Sequence, residues 1–321
     1  MSLRIILFAA IAALAVAAPF LGLYPILLMK LLCFALFACA FNLLIGFVGL
    51  LSFGHAMFFG SAAYAAGYAM RSWGFTPEIG LVFGTAVAAV LGALAGALAI
   101  RRQGIYFAMI TMALAQMVYF IALQAPFTGG EDGLQGIPRG ALFGVLSLRN
   151  DLTLYYVVLA VVIAAWLFIA RVVHSPFGQI LKAIRENEPR TVSLGYDTDR
   201  FKLIAFVLSA ALAGLAGSLK ALVLGFATLS DVHWATSGSV ILMSLIGGIG
   251  TLTGPVIGAF VITGLENILA DRVGSWVTVV LGVIFVASVL LFRQGLVGTL
   301  KNYLPGVLGR EGTGRRRREA V

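Results

Sequence analysis

The sequence predicts an all-α, polytopic membrane protein: about ten transmembrane helices in two parallel-related repeats, with a short cytoplasmic helix between spans. Three observations carry this. The 321 residues are 61% apolar and only 11% charged, where an ordinary soluble domain carries roughly 25% charged residues. Apolar runs of about 20 residues, the length that crosses a bilayer, recur along the chain. The nonapeptide LIGFVGLLS, 44–52, returns as LIGGIGTLT, 245–253.

The runs are 5–22, 24–46, 52–70, 79–100, 104–124, 152–170, 202–226, 230–247, 251–270 and 274–292. The first begins after Arg4 and has small residues at Ala15 and Ala17, as a secretory signal does. Its apolar character continues past Pro19 and Pro25, so it reads as a retained first helix. Cys33 and Cys39 lie together in the second run. Six residues apart on a helix, they read as small core residues and not as a disulfide.

In the repeat, Leu44, Ile45, Gly46, Gly49 and Leu51 recur in register as Leu245, Ile246, Gly247, Gly250 and Leu252. Val48 and Ser52 recur as Ile249 and Thr253, and the same offset carries Arg71 onto Arg272. This register suggests an internal duplication. Each nonapeptide reads as a tight turn between two helices. Gly46, Gly49 and Gly54 break the chain at the first turn, and Gly247, Gly248, Gly250 and Gly254 at the second. Broken helices at matched positions point to a translocation region, but glycines at such places also serve plain packing. Gly80/Gly84, Gly92/Gly96 and Gly250/Gly254/Gly258, each spaced by four, support a tight bundle or a partner subunit.

Basic residues set the orientation. With Arg4 inside, ten passes keep Arg101, Arg102, Arg171, Lys182, Arg185, Arg190, Arg200 and Lys202 inside, together with the arginines 315–318. Both termini are then cytoplasmic, and the loop 125–151 lies outside. Reading 239–270 as one long helix puts the arginine tail outside, which argues for the turn. The net charge of +9 is spread over short clusters between spans. That dispersal excludes nucleic acid and fits a membrane protein surrounded by lipid. The transmembrane domain covers 1–300, with a cytoplasmic segment at 175–201, and a basic tail follows at 301–321.

No Gly-x-x-x-x-Gly-Lys-[Ser/Thr] loop is present, so the chain does not hydrolyse ATP through a P-loop. GIGTLTG, 248–254, is not a dinucleotide fingerprint, since Thr253 stands at the third glycine position. No cysteine and histidine spacing suggests a metal, and no catalytic constellation is evident. Lys30, Lys220 and Glu266 map near outer helix ends, where long side chains snorkel, with a Lys220–Glu266 pair as the alternative. His55 reads as a turn cap and not as a proton relay. Asn42, Ser52, Thr111 and Gln116 are polar residues on apolar spans. Each is a candidate for lining the pathway or for helix–helix hydrogen bonding.

The most polar internal stretch runs from Ser175 to Leu203. Ser175, Pro176 and Phe177 read as a helix entry, and Pro189 as a break. Ile180, Leu181, Ile184, Val192 and Leu194 read as an apolar stripe. Gly195 supplies a left-handed end. Periodicity alone supports an interfacial anchor and a docking element equally.

Three segments together resemble the M-type permease subunits of branched-chain amino acid ABC importers: Phe41 to Gly67, Gly178 to Gly217, and Ser244 to Ala259. The resemblance covers nearly the whole chain apart from the tail. It implies a transport subunit, not an enzyme, in a bacterial inner membrane. The implied partners are a homologous second permease, two cytoplasmic ATPases that hold ATP and Mg, and a periplasmic binding protein; no cofactor is implied on this chain. It implies that the cytoplasmic helix is a coupling helix, with Gly178, Arg185, Glu186, Asn187, Glu188 and Gly195 as ATPase-coupling residues. Related systems import urea, short amides or aromatic acids, so the resemblance leaves the cargo open. A rival of another class is an ion-coupled secondary transporter, for which no midplane carboxylate pair is evident.

Overall fold

The computed structural model describes residues 18–21, 24–144, 146–276 and scattered residues between 279 and 286. Nearly all of the predicted span 5–22, most of 274–292 and the tail 301–321 lie outside the described residues.

The chain is a helical bundle. Its helices are α1 (Pro25–Phe47), α2 (His55–Ser72), α3 (Pro77–Ala99), α4 (Ile105–Gln124), α5 (Asp151–His174), α6 (Pro176–Glu186), α7 (Glu188–Ser193), α8 (Thr198–Leu224), α9 (Trp234–Gly247) and α10 (Gly254–Val273). Among the described residues, α1, α3, α4, α5 and α8 are long and apolar enough to cross a membrane, and α9 and α10 are shorter apolar helices. These bounds follow the apolar runs to within a few residues. The chain between 247 and 254 does break, so 239–270 is two helices.

Helix α8 forms the centre and packs against α1, α2 and α3. Helix α1 is apolar and buried around nearly its whole circumference, as a helix enclosed by others must be. Gly84, Gly92 and Gly96 of α3 face α8, and Gly80 faces Met70 of α2. A Cβ at Gly217 of α8 would collide with the Phe59 carbonyl, and one at Gly258 with the Met243 carbonyl. The small-residue spacings therefore serve packing inside this chain.

One end of the bundle gathers the irregular segments 125–150 and 225–233. Strands β1 (Leu134–Gln135) and β4 (Phe226–Ala227) pair antiparallel there, and β2 (Ala141–Leu142) pairs with β3 (Leu146–Ser147). Arg139 bridges to Asp151 at 2.6 Å and donates to the Val223 carbonyl at 2.8 Å. Arg71, in the last turn of α2, donates to the Gln135 carbonyl at 2.8 Å. Its repeat counterpart Arg272 lies in the last turn of α10 and is exposed.

Lys220 does not pair with Glu266. Its Nζ lies 2.8 and 2.6 Å from the two carboxylate oxygens of Asp231, and both side chains are buried. Asp231 also accepts from the Thr228 amide at 3.0 Å and from its hydroxyl at 3.1 Å. The Lys220 ammonium sits 5.1 Å from the Phe226 ring centroid. The loop 225–233 folds inward and delivers a carboxylate that neutralises the lysine. This replaces snorkelling, because a buried charge needs a fully bonded partner.

Candidate functional site: two matched turns and the helix beneath them

The opposite end holds both nonapeptide turns. In each, the helix before the turn ends at or next to a repeat glycine, and the chain then needs a left-handed residue. Gly49 has φ +86° and its counterpart Gly250 has φ +80°. An L side chain adopts that region only at a steric cost, so the two matched glycines turn the chain, and Gly248, with φ +117°, begins the second turn.

The turns meet. The Asn42 amide donates to the Thr251 carbonyl at 2.9 Å and its oxygen accepts from the Gly250 amide at 2.9 Å. Gly46 packs so closely on this pair that a Cβ there would stand 2.8 Å from the Gly250 nitrogen. Trp166 of α5 donates its indole N–H to the Leu252 carbonyl at 3.1 Å. Gly247 and Gly254 press together: a Cβ at Gly247 would collide with the Gly254 carbonyl. The second turn is locked further by the Thr251 hydroxyl, which donates to the Gly248 carbonyl at 2.8 Å and accepts from the Gly254 amide at 3.1 Å.

The two hairpins are built differently. Helices α9 and α10 meet through glycine backbone, while α1 and α2 are held apart by aromatic rings. Phe37 stacks on Phe59 at 4.5 Å, and Phe41 meets His55 edge-on at 5.1 Å. Helix α2 therefore starts inside the bundle, level with Phe41 and not with the end of α1. A buried helix start leaves amide groups without partners unless side chains supply them. Three hydroxyls do so. Ser52 accepts from the Gly54 amide at 3.2 Å, Thr111 from the Phe53 amide at 3.2 Å, and Ser237 from the Ala56 amide at 2.9 Å. Ser237→Ala would strand the Ala56 amide, and is expected to cost about 1–3 kcal/mol, read as a lower unfolding temperature in detergent.

His55 does not cap the turn with its ring. Its Nε2 lies 2.8 Å from Ser209 Oγ, and that hydroxyl donates its single proton to the Ala40 carbonyl at 2.5 Å. Nε2 is therefore a donor, and the ring is a buried core group edged by Phe41, Phe58 and Phe206. Of the four polar pathway candidates, Asn42, Ser52 and Thr111 are buried in the bonds just described. Gln116 is half-buried and makes no side-chain hydrogen bond among the described residues.

Beneath the turns lies the polar segment. Side chains punctuate it: Ser175 accepts from the Gly178 amide at 3.3 Å, Asn187 from the Arg190 amide at 3.1 Å, and Asp197 from the Arg200 amide at 3.3 Å. Pro189 accordingly starts a second helix, α7, and Gly195 closes it with φ +90°. The buried face is Gly178, Leu181 and Ile184, continued by Thr191. Val192 and Leu194 depart from the expected stripe, being 53% and 70% exposed. The new helix axis begun at Asn187 turns them outward. Glu186 is exposed. Glu188 turns inward, 2.5 Å from the buried Lys202 ammonium, and accepts from the Thr198 hydroxyl at 3.2 Å.

Arg185 joins the two levels. Its guanidinium donates to the Gly46 carbonyl. A methyl at Gly49 would stand 3.1 Å from its Cγ, and one at Gly250 3.1 Å from its Nη1. One arginine on α6 thus lies against both members of the matched glycine pair. Lys182, one turn earlier, sits 5.9 Å from the Phe47 ring centroid at the end of α1. The resemblance implies Arg185 as an ATPase-coupling residue. Its inward reach, and the roles of Trp166, Ser237 and Asp231, have no local signal.

Comparison with known proteins agrees with this architecture. Residues 23–289 match the family model described as the permease component of branched-chain amino acid transport systems. The high-affinity branched-chain amino acid transport system permease protein LivM of Escherichia coli (strain K12) is 29% identical over 90% of this chain and 73% of its own length. LivM of Salmonella typhimurium (strain LT2) is 28% identical over the same shares. The autoinducer 2 import system permease protein LsrC of Klebsiella pneumoniae is 29% identical over 58% of this chain and 55% of its own length. No solved structure matches the chain. A multi-pass helical bundle with duplicated turns, matched along 23–289, leaves one assignment: the chain belongs to the family of permease components of branched-chain amino acid transport systems.

Proposed function

We propose that this ABC importer permease carries branched-chain or closely related aliphatic amino acids across a bacterial inner membrane. A periplasmic binding protein delivers the cargo, a homologous second permease completes the channel, and two ATPases holding ATP and Mg drive it. Both termini are cytoplasmic in this reading, so the turn end faces the cytoplasm and the β1–β4 end faces outward. The two LivM relatives support the cargo.

The observation that carries the mechanism is the reach of Arg185 to Gly46, Gly49 and Gly250. ATP binding closes the ATPase pair against α6 and α7. The exposed Glu186, Val192 and Leu194 offer a mixed polar and apolar docking face. Glu188 and Asn187 fix its shape, and Gly178 and Gly195 set its ends. Arg185 passes the displacement to both turns at once. Asn42, Ser52 and Thr111 hold those turns, and Gln116 is the polar residue free to meet cargo.

Purification in mild detergent tests the assembly. ATPase subunits and a second permease are expected to copurify. A chain that purifies alone and transports under an ion gradient would overturn the proposal in favour of a secondary carrier.

A further inference from the structure

Helix α8 buries two lysines, Lys202 near its start and Lys220 near its end. They are eighteen residues apart, which is about five full turns, so they stand on one face with roughly 27 Å between them. Each holds a separate segment at its own end of the bundle. Lys202 pairs with Glu188 of α7 at 2.5 Å and with Asp199 at 3.1 Å. Lys220 holds Asp231 in the loop 225–233. Between the lysines the helix is knitted to its neighbours. Ser209 donates to the Ala40 carbonyl of α1, and Ser218 to the Ala62 carbonyl of α2 at 3.3 Å. A Cβ at Gly214 would collide with that of Ala88 in α3. A push at α7 therefore meets a rigid, continuously packed unit that ends at the far loop.

That loop has a second seat. Tyr64 of α2 is 4% exposed, and its hydroxyl has no hydrogen-bond partner among the described residues. Gly60, one turn earlier on the same face, packs against the Asp231–Val232 backbone, and the Asp231 carboxylate lies within electrostatic reach of the Tyr64 hydroxyl. Asp231 has capacity to spare. Its Oδ2 accepts from Lys220 and from both Thr228 donors, whereas its Oδ1 accepts from Lys220 alone among the described residues. A carboxylate oxygen takes more than one donor, and a buried hydroxyl without an acceptor costs free energy that a small movement of the loop would recover.

We infer that the loop 225–233 is an outer latch with two positions, and that α8 sets its position from the cytoplasmic end. In one position Lys220 and Thr228 alone hold Asp231. In the other, Asp231 Oδ1 also accepts from the Tyr64 hydroxyl. Lys202 is the positioning residue that ties α7 to α8, by a route separate from the contacts of Arg185 with the two turns. The inference rests on the ATPase docking proposed above.

The test uses the importer assembled with its ATPases in lipid nanodiscs, without the binding protein. Ser230 is exposed on the loop, and the natural Cys33 and Cys39 are buried. A charged methanethiosulfonate therefore reports on the loop through Ser230→Cys. Trapping with ATP and vanadate is expected to change the labelling rate roughly fivefold, the worth of one hydrogen bond. Lys202→Met is expected to abolish that change with ATPase subunits still bound. Tyr64→Phe, which leaves the Lys202 pair intact, is expected to abolish it as well, and decides alone if Lys202→Met fails to assemble. Equal labelling with and without nucleotide in otherwise wild-type protein, or a full change in either assembled variant, would overturn the inference, while bound ATPases leave the importer reading standing. A preparation that binds no ATPase refutes that reading, and the inference with it.

Discussion

Asp231→Ala is expected to destabilise the protein by about 3–5 kcal/mol, because it leaves the Lys220 ammonium buried without its partner. The pair is bidentate and enclosed, with side chains only 5% and 8% exposed. Asp231 also organises its own loop by accepting twice from Thr228. Its loss therefore frees the segment 225–233 and the β4 strand that holds β1. The expected readout is a large fall in unfolding temperature in detergent, with protease sensitivity appearing in 225–233. Replacing both partners, Lys220→Met with Asp231→Leu, is expected to recover the part of the loss that comes from the stranded charge, but not the part from the two Thr228 bonds. If the double variant is as unstable as Asp231→Ala, charge burial is not the cause.

Arg185→Ala is expected to uncouple the importer without dissociating it. The residue is exposed, yet its side chain reaches inward to Gly46, Gly49 and Gly250. Removing it leaves α6 capped by Ser175 and α7 capped by Asn187, so the proposed docking surface keeps its shape. Transport per ATP hydrolysed is expected to fall about tenfold, roughly 1.4 kcal/mol of lost coupling. Arg185→Lys is expected to fall between the two, since an ammonium restores charge but not the planar fork. Loss of ATPase copurification in Arg185→Ala would place the residue on the docking surface instead.

Most of the architecture is readable from the chain because hydrophobic length and punctuation are local properties. The runs predict α1, α3, α4, α5 and α8 closely. Ser175, Pro189 and Gly195 act as entry, break and end, each through backbone chemistry confined to a few residues. The repeat anticipates that Gly49 and Gly250 share a conformation. Partners were harder. Lys220 lies eleven residues from Asp231, but the link depends on a loop folding inward, which no periodicity records. Val192 and Leu194 continue the stripe by spacing, yet Asn187 starts a new axis and turns them outward. Ser52 and Thr111 were legible as unusual polar residues. Their work at the buried start of α2 becomes visible only once Phe37, Phe41 and Phe59 space that helix from α1.

In the proposed function, ATP-driven movement at one end of this bundle imports an amino acid through it. Leucine uptake by proteoliposomes holding both permeases and the ATPases, with the binding protein added outside, tests it most directly. Uptake is expected to require ATP and the binding protein and to persist when proton and sodium gradients are dissipated. Uptake that continues without ATP, or that collapses with either gradient, would contradict it.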